Sequence, residues 1–249
     1  MKMSLPIFLT LLYCATVVQA NVEKTIFKAP DSTALPDDAS QAAALDSLLL
    51  MTLHPDNLVV RTHLNASFPK DQTPHGEETW ALLEGLTPGQ RYELRVCWLA
   101  TQPTSFWLDT FTISETFETP ELISSLSSYA YTRRRQLSMA EVNHISTSRY
   151  KRKPAIRETS LLFLRIQAAA DYFSLNKTLM EHVPPVHVDL ILDAYLLNIF
   201  PQSLVPTAGY IAVIAVIAFF LSRIIYQQLN AYIDRSRAEE ERSRSKKSL

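Results

Sequence analysis

Only four of the 249 residues are glycine. Phosphate-cradling loops and nucleophile elbows place glycine where the backbone turns sharply or approaches a ligand. Neither a phosphate loop nor a Gly-x-Ser-x-Gly segment occurs, and Asp-x-Asp of the sugar-nucleotide type is absent too. Cysteine is as sparse, with Cys14 and Cys97 alone. Cys14 lies in an N-terminal apolar run expected to be removed, so the mature chain is left without an intramolecular disulfide. Cys97 is expected to be a small buried hydrophobe. Metal-ligand spacings such as Cys-x-x-Cys or His-x-x-x-His are missing. The formal net charge of −1 excludes a strongly basic nucleic-acid binder. On these grounds no catalytic residue, cofactor site or metal site is assigned, and nucleic acid is not expected as a partner.

What the chain does have is long apolar runs, and they set its topology. Residues Leu5 to Val18 follow Lys2 and end in Val18-Gln19-Ala20, a small-x-small pattern that signal peptidase accepts. Residues 1–20 therefore read as a signal peptide cleaved between Ala20 and Asn21. Leu204 to Leu221 carries no charge, and Ile211-Ala-Val-Ile-Ala-Val-Ile-Ala-Phe-Phe-Leu221 has no polar face to offer water. With Arg223 snorkelling toward the headgroups, residues 205–226 are long enough to span a bilayer as one helix. Lysine and arginine are absent from Val183 to Pro206, whereas Arg223 stands near the far end of the span and Arg235, Arg237, Arg242, Arg244, Lys246 and Lys247 follow it. That bias puts the basic tail, residues 227–249, in the cytosol and residues 21–204 in the lumen. Two Asn-x-Ser/Thr sequons, at Asn65 and Asn176, fall in the lumenal part, where glycosylation takes place.

The lumenal part, about 180 residues, suits one sizeable domain. Its clearest strand is Arg91-Tyr-Glu-Leu-Arg-Val-Cys-Trp98, with Tyr92, Leu94, Val96 and Trp98 on one face and Arg91, Glu93 and Arg95 on an outer, charged face. Further strand-length segments are Val22 to Ala29, Ser47 to Leu53, Leu58 to Asn65, Thr79 to Leu83, Phe106 to Ile113, Ser160 to Gln167 and Val186 to Asp193. Ala39 to Leu53 is alternatively the start of a helix capped by Asp37 or Asp38. Between residues 114 and 158 the pattern dissolves into Ser, Thr and basic clusters, Arg133-Arg-Arg135 and Lys151-Arg-Lys153, read as a flexible polar insertion. The sharper reading of those cations is a meeting with anionic headgroups at the membrane surface. His187 and Asp189 share a strand face and resemble a base with its orienting carboxylate, but no nucleophile motif accompanies them. The solvated-surface reading is preferred.

Leu86-Thr-Pro-Gly-Gln-Arg-Tyr92 resembles the turn entering strand F of fibronectin type III and related immunoglobulin-like sandwiches, where the tyrosine forms a corner by bonding back to the preceding loop. The resemblance implies an all-β lumenal domain, an immunoglobulin/fibronectin III-like sandwich, followed by one C-terminal transmembrane helix, with Tyr92 as the corner. The last residues, Lys246-Lys-Ser-Leu249, resemble the dilysine signal that the retrieval coat reads on type I endoplasmic-reticulum (ER) membrane proteins. Within the span, Ala208, Ala212 and Ala215 form a small-residue stripe that permits close helix approach.

The signal peptide, the Leu86 to Trp98 motif with Ala100-Thr-Gln-Pro-Thr-Ser-Phe106, the Pro184 to Pro206 stretch and the short basic tail together resemble the fungal GPI-mannosyltransferase II co-activator family. Membership implies a non-catalytic subunit of the ER membrane. Its partner would be the polytopic enzyme that adds the second mannose to the GPI precursor, with dolichol-phosphate-mannose as that enzyme's donor. The competing reading is an ER cargo or quality-control receptor with a retrieval tail. A stoichiometric polytopic transferase on purification distinguishes the first reading from the second, which predicts varied secretory clients.

Overall fold

The computed structural model describes residues 21–31, 45, 47–138 and 160–247, with side chains described as far as residue 235. The predicted signal peptide, apart from Asn21 on the far side of its cleavage point, lies outside the described residues. Two compact units divide at Pro201 and Gln202.

Among the described residues, the first unit has nine strands in two sheets. One sheet has the order β1 (Val22–Lys28), β5 (Arg91–Trp98), β8 (Val186–Leu196), β3 (Val59–Leu64), with β9 (Phe200–Pro201) also paired to β8. The other runs β2 (Met51–Leu53), β4 (Glu77–Leu86), β7 (Ser160–Ala170), β6 (Thr104–Phe111). All pairings are antiparallel except β2 with β4. The inner faces meet in a core that includes Leu53, Leu64, Leu83, Tyr92, Leu94, Leu164, Ile166, Leu190 and Leu192. Each such side chain contributes about 1.5–3 kcal/mol on burial, before conformational entropy is charged against it. The two-layer β architecture matches the expected class. The immunoglobulin arrangement is not reproduced: there the first two strands are neighbours, whereas β1 and β2 sit in different sheets here.

Residues 114–136 correct the expected flexible insertion. They belong to two helices, α1 (Ile113–Glu118) and α2 (Pro120–Gln136). Thr112 caps α1 through a capping box with Glu115, and Pro120 stands at the start of α2, where its missing N–H costs nothing. Leu122 and Leu126 of α2 pack with Leu50, Trp80, Leu82 and Phe163 on the far face of the second sheet. This third layer explains why β7 is apolar nearly throughout: both of its faces are covered. Residues 139–159, including Lys151 to Lys153, lie outside the described residues. The helical alternative for Ala39 to Leu53 holds at Leu45 and Ser47, with the strand confined to Met51–Leu53.

A second correction concerns the outer face of β5. Arg91 is exposed there, but Glu93 is 5 % exposed and Asp193, its partner across β8, is 1 % exposed. Two adjacent carboxylates cannot be left dry without cations. Arg95 supplies one, with Nε 3.2 Å from Glu93 and Nη2 3.6 Å from Asp193, and Lys24 Nζ lies 3.5 Å from Glu93.

The second unit consists of a 3-10 turn, Gln202–Leu204, and one helix, α4 (Val205–Lys247). A short helix of the first unit, α3 (Lys177–Glu181), precedes it in the chain.

Candidate functional sites: a sheet corner, two sequons and an apolar helix

The turn between β4 and β5 is Thr87-Pro88-Gly89-Gln90, closed by Gln90 N–H to the Thr87 carbonyl at 3.1 Å. Gly89 has φ +73°, the left-handed value that the third position of a type II turn requires, with proline before it. The turn delivers Tyr92 into the core at 1 % exposure. Its hydroxyl accepts from Thr87 N–H at 2.9 Å and donates to Gln90 Oε1 at 3.1 Å. The corner bond expected from the sequence is thus formed, although the strand order around it differs from that of immunoglobulin domains.

His187 and Asp189 do lie on one face of β8, but they are not joined to each other by any described bond. The His187 ring packs edge-on against His63 at 4.1 Å, while Asp189 accepts two hydrogen bonds from Arg61, at 2.7 and 2.9 Å. Those bonds hold the Asp189 carboxyl below its ordinary pKa and raise the Arg61 guanidinium. A carboxylate stabilised this way is a poor proton acceptor, which favours the surface ion-pair reading over a catalytic one. Burial raises the Cys97 thiol, with Arg95 opposing and Asp189 reinforcing the shift. A thiol pushed upward is a weak nucleophile at neutral pH.

A cavity of about 410 Å³ lies where β3 of the first sheet, β4 of the second sheet and α2 meet, lined among others by Thr62, Asn65, Glu77, Glu78 and Arg133. Several of its polar groups are engaged in structure. Ser125 Oγ accepts from Trp80 Nε1 at 3.0 Å and donates to Glu78, whose other oxygen accepts from Gln167 at 2.9 Å. Arg133 Nε donates to the Leu49 carbonyl at 2.6 Å. These bonds fasten α2 to the sheet. Among the described residues, no group of three or more His, Cys, Asp and Glu is placed to hold a metal ion.

The sequon asparagines are both exposed. Asn65 follows β3 at the cavity's rim. Asn176 caps α3, its Oδ1 accepting from Thr178 N–H at 3.0 Å, so the amide nitrogen that would carry a glycan is not used by the cap. Asn21 precedes β1 and is exposed, while Ala20 lies outside the described residues.

One helix among the described residues is long and apolar enough to cross a membrane, with mean hydropathy 2.4 in its best window within Gln202–Arg235. Its large side chains are exposed on every side, from Ile211 and Ile214 to Phe219 and Phe220. That is expected of a segment whose solvent is lipid. Ala208, Ala212 and Ala215 all fall within it, and Lys246 and Lys247 end the same helix.

A family model described as GPI-mannosyltransferase II co-activator matches residues 11–224, a span that takes in the β unit, both helices over it and the apolar helix as far as Ile224. The chain belongs to that family. No curated protein and no solved structure matches it. Membership assigns the co-activator to GPI biosynthesis, hence to the ER membrane, and agrees with the one candidate span among the described residues.

Sequence reasoning missed the α1 and α2 layer and the buried Glu93 and Asp193. For the helices a signal was present: Thr112-Ile-Ser-Glu115 is a capping box by composition, and Thr119-Pro120 is a helix start.

Proposed function

We propose that this co-activator is a single-pass type I subunit with its β unit in the lumen, and that it supports addition of the second mannose to the GPI precursor without contributing reacting groups. The family match carries the reading. Supporting it are the basic residues that follow the apolar helix and two exposed sequons before it. Also in its favour is the chemistry of the most suggestive pair, since Asp189 is held as a carboxylate by Arg61. The mannose donor is bound by the polytopic partner, because one helix cannot enclose a lipid-linked sugar. This chain acts by docking, through a surface that includes Ala208, Ala212 and Ala215, where small side chains let helix backbones approach.

Purification of the tagged chain in mild detergent tests this. One polytopic mannosyltransferase should copurify in stoichiometric amount, endoglycosidase should shift the mobility of the tagged chain, and Ala208→Leu with Ala212→Leu should lower the transferase yield. A spread of secretory clients in place of the transferase would instead identify a cargo receptor.

A further inference from the structure

The hairpin joining β8 to β9 presents hydrophobic side chains at its tip in a manner that its own fold does not require. Leu197 is 84 % exposed and Ile199 is 76 % exposed, with Leu196 beside them at 47 %. Ile199 N–H closes the turn on the Leu196 carbonyl at 3.0 Å, and the two central residues, Leu197 and Asn198, have φ +52° and +58°. Positive φ at both centres is the pattern of a type I′ turn, which selects glycine, asparagine or aspartate. Asn198 fits that rule. Leu197 does not, since a leucine in this region is a steric outlier.

The turn is nevertheless firmly held. The Asn198 side chain clamps it to the β4–β5 turn, accepting from Arg91 N–H at 2.7 Å and donating to the Gly89 carbonyl at 3.1 Å. A rigid loop that displays leucine and isoleucine outward, at a position that prefers small polar residues, is preorganised to bury them elsewhere. Cations flank it. Lys28 and Arg91 are paired in register at this end of β1 and β5, both exposed, and the Arg91 guanidinium sits 5.9 Å over the Tyr195 ring.

Covalent reach identifies the occupant. Val205, where the apolar helix begins, is separated from Ile199 by so few residues that even a fully extended connection spans only about 20 Å. We infer that the Leu197–Ile199 tip is a membrane-interface wedge, which sinks its two apolar side chains among the lipid headgroups of the bilayer that the chain's own helix crosses, with Lys28 and Arg91 meeting the phosphates. Apolar side chains beside cations are the composition by which proteins hold to a lipid surface. The inference rests on α4 being a membrane span and is independent of co-activation.

The test uses the full chain in phosphatidylcholine–phosphatidylinositol liposomes, with Cys14→Ser and Cys97→Ser removing the native thiols. An environment-sensitive fluorophore is attached at Leu197→Cys, at Ile199→Cys as an independent position, or at Leu175→Cys. Leu175 is 92 % exposed in the loop that leads from β7 to β8, at the opposite end of β8 from the hairpin. Labels at positions 197 and 199 should emit to the blue. They should lose roughly half their intensity to lipids spin-labelled near the headgroup, corresponding to the insertion depth of about 5–10 Å typical of interfacial side chains. The label at position 175 should stay aqueous. Emission at 197 and 199 as water-like as at 175 would overturn the inference. So would a label that becomes dry only when the polytopic transferase is reconstituted alongside, which would make the tip a protein contact.

Discussion

Arg95→Met is the most informative single change in the β unit. Arg95 stands between two carboxylates, Glu93 and Asp193, whose side chains are 6 % and 1 % exposed. Methionine preserves most of the apolar stem, so the change removes charge more than packing. Breaking a buried ion pair from one side costs about 3–5 kcal/mol, because a charge is left without its partner. Two features reduce that here: Arg95 is itself 26 % exposed, and Lys24 remains 3.5 Å from Glu93. Repulsion between carboxylates about 5 Å apart across the strands adds roughly 3 kcal/mol at an effective dielectric near 20. Water entering the vacated space offsets part of it. The expected net loss is about 2–4 kcal/mol, or roughly 5–15 °C in the melting temperature of a domain of this size.

Thermal unfolding of the full chain in mild detergent, followed through tryptophan emission, to which the fully buried Trp80 contributes beside Trp98 and Trp107, reads this loss. The sharper readout is the double variant. Glu93→Gln removes one of the two opposed charges, so it should destabilise the native background yet restore about half of the loss in the Arg95→Met background. Additive effects, or an Arg95→Met variant within about 0.5 kcal/mol of the native chain, would refute the claim that these carboxylates depend on Arg95; that is the range usual for an ordinary surface substitution.

Tyr92→Phe removes the hydroxyl that accepts from Thr87 and donates to Gln90, and should cost about 0.5–1.5 kcal/mol, rising further if Thr87 N–H is left dry. An unchanged melting temperature would mean that the corner bond contributes nothing. The Arg61 pair should show itself in pH dependence: because the folded-state pKa of Asp189 is lowered, its stabilisation is present above the ordinary aspartate range near 3.9 and is lost as pH falls through the lower folded value. Carboxyl NMR should find Asp189 titrating below the other exposed aspartates and returning to their range in Arg61→Gln; coincident titration in the native chain would contradict the pairing.

The elements most legible in the sequence were those with one dominant signal. Arg91 to Trp98 was read with its observed bounds because alternation and a Pro-Gly turn agree there. The apolar helix was legible because Leu204 to Leu221 offers no polar face. The α1 and α2 layer was obscured because α2 buries only Leu122 and Leu126, leaving a surface of Ser, Thr and Arg that resembles a loop by composition. Burial of Glu93 and Asp193 was illegible for another reason. Alternation reports which face a residue occupies, whereas the covering of Glu93 by Lys24 of β1 and Tyr195 of β8, and of Asp193 by Arg95 of β5, depends on strands distant in sequence. The wedge was half visible: the apolar connector before the span could be seen, but positive φ at Leu197 and the Asn198 clamp are properties of the folded hairpin.

The central claim, support of the second mannosylation by a chain without reacting groups of its own, is tested most directly by the GPI precursors that accumulate when the protein is depleted. Mass spectrometry of the extracted lipids should show intermediates with one mannose rising, while N-glycan assembly, which draws on the same dolichol-linked donor pool, stays normal. A docked subunit stabilises one enzyme, so its loss should lower one step selectively. An unchanged precursor spectrum in depleted cells would contradict the account.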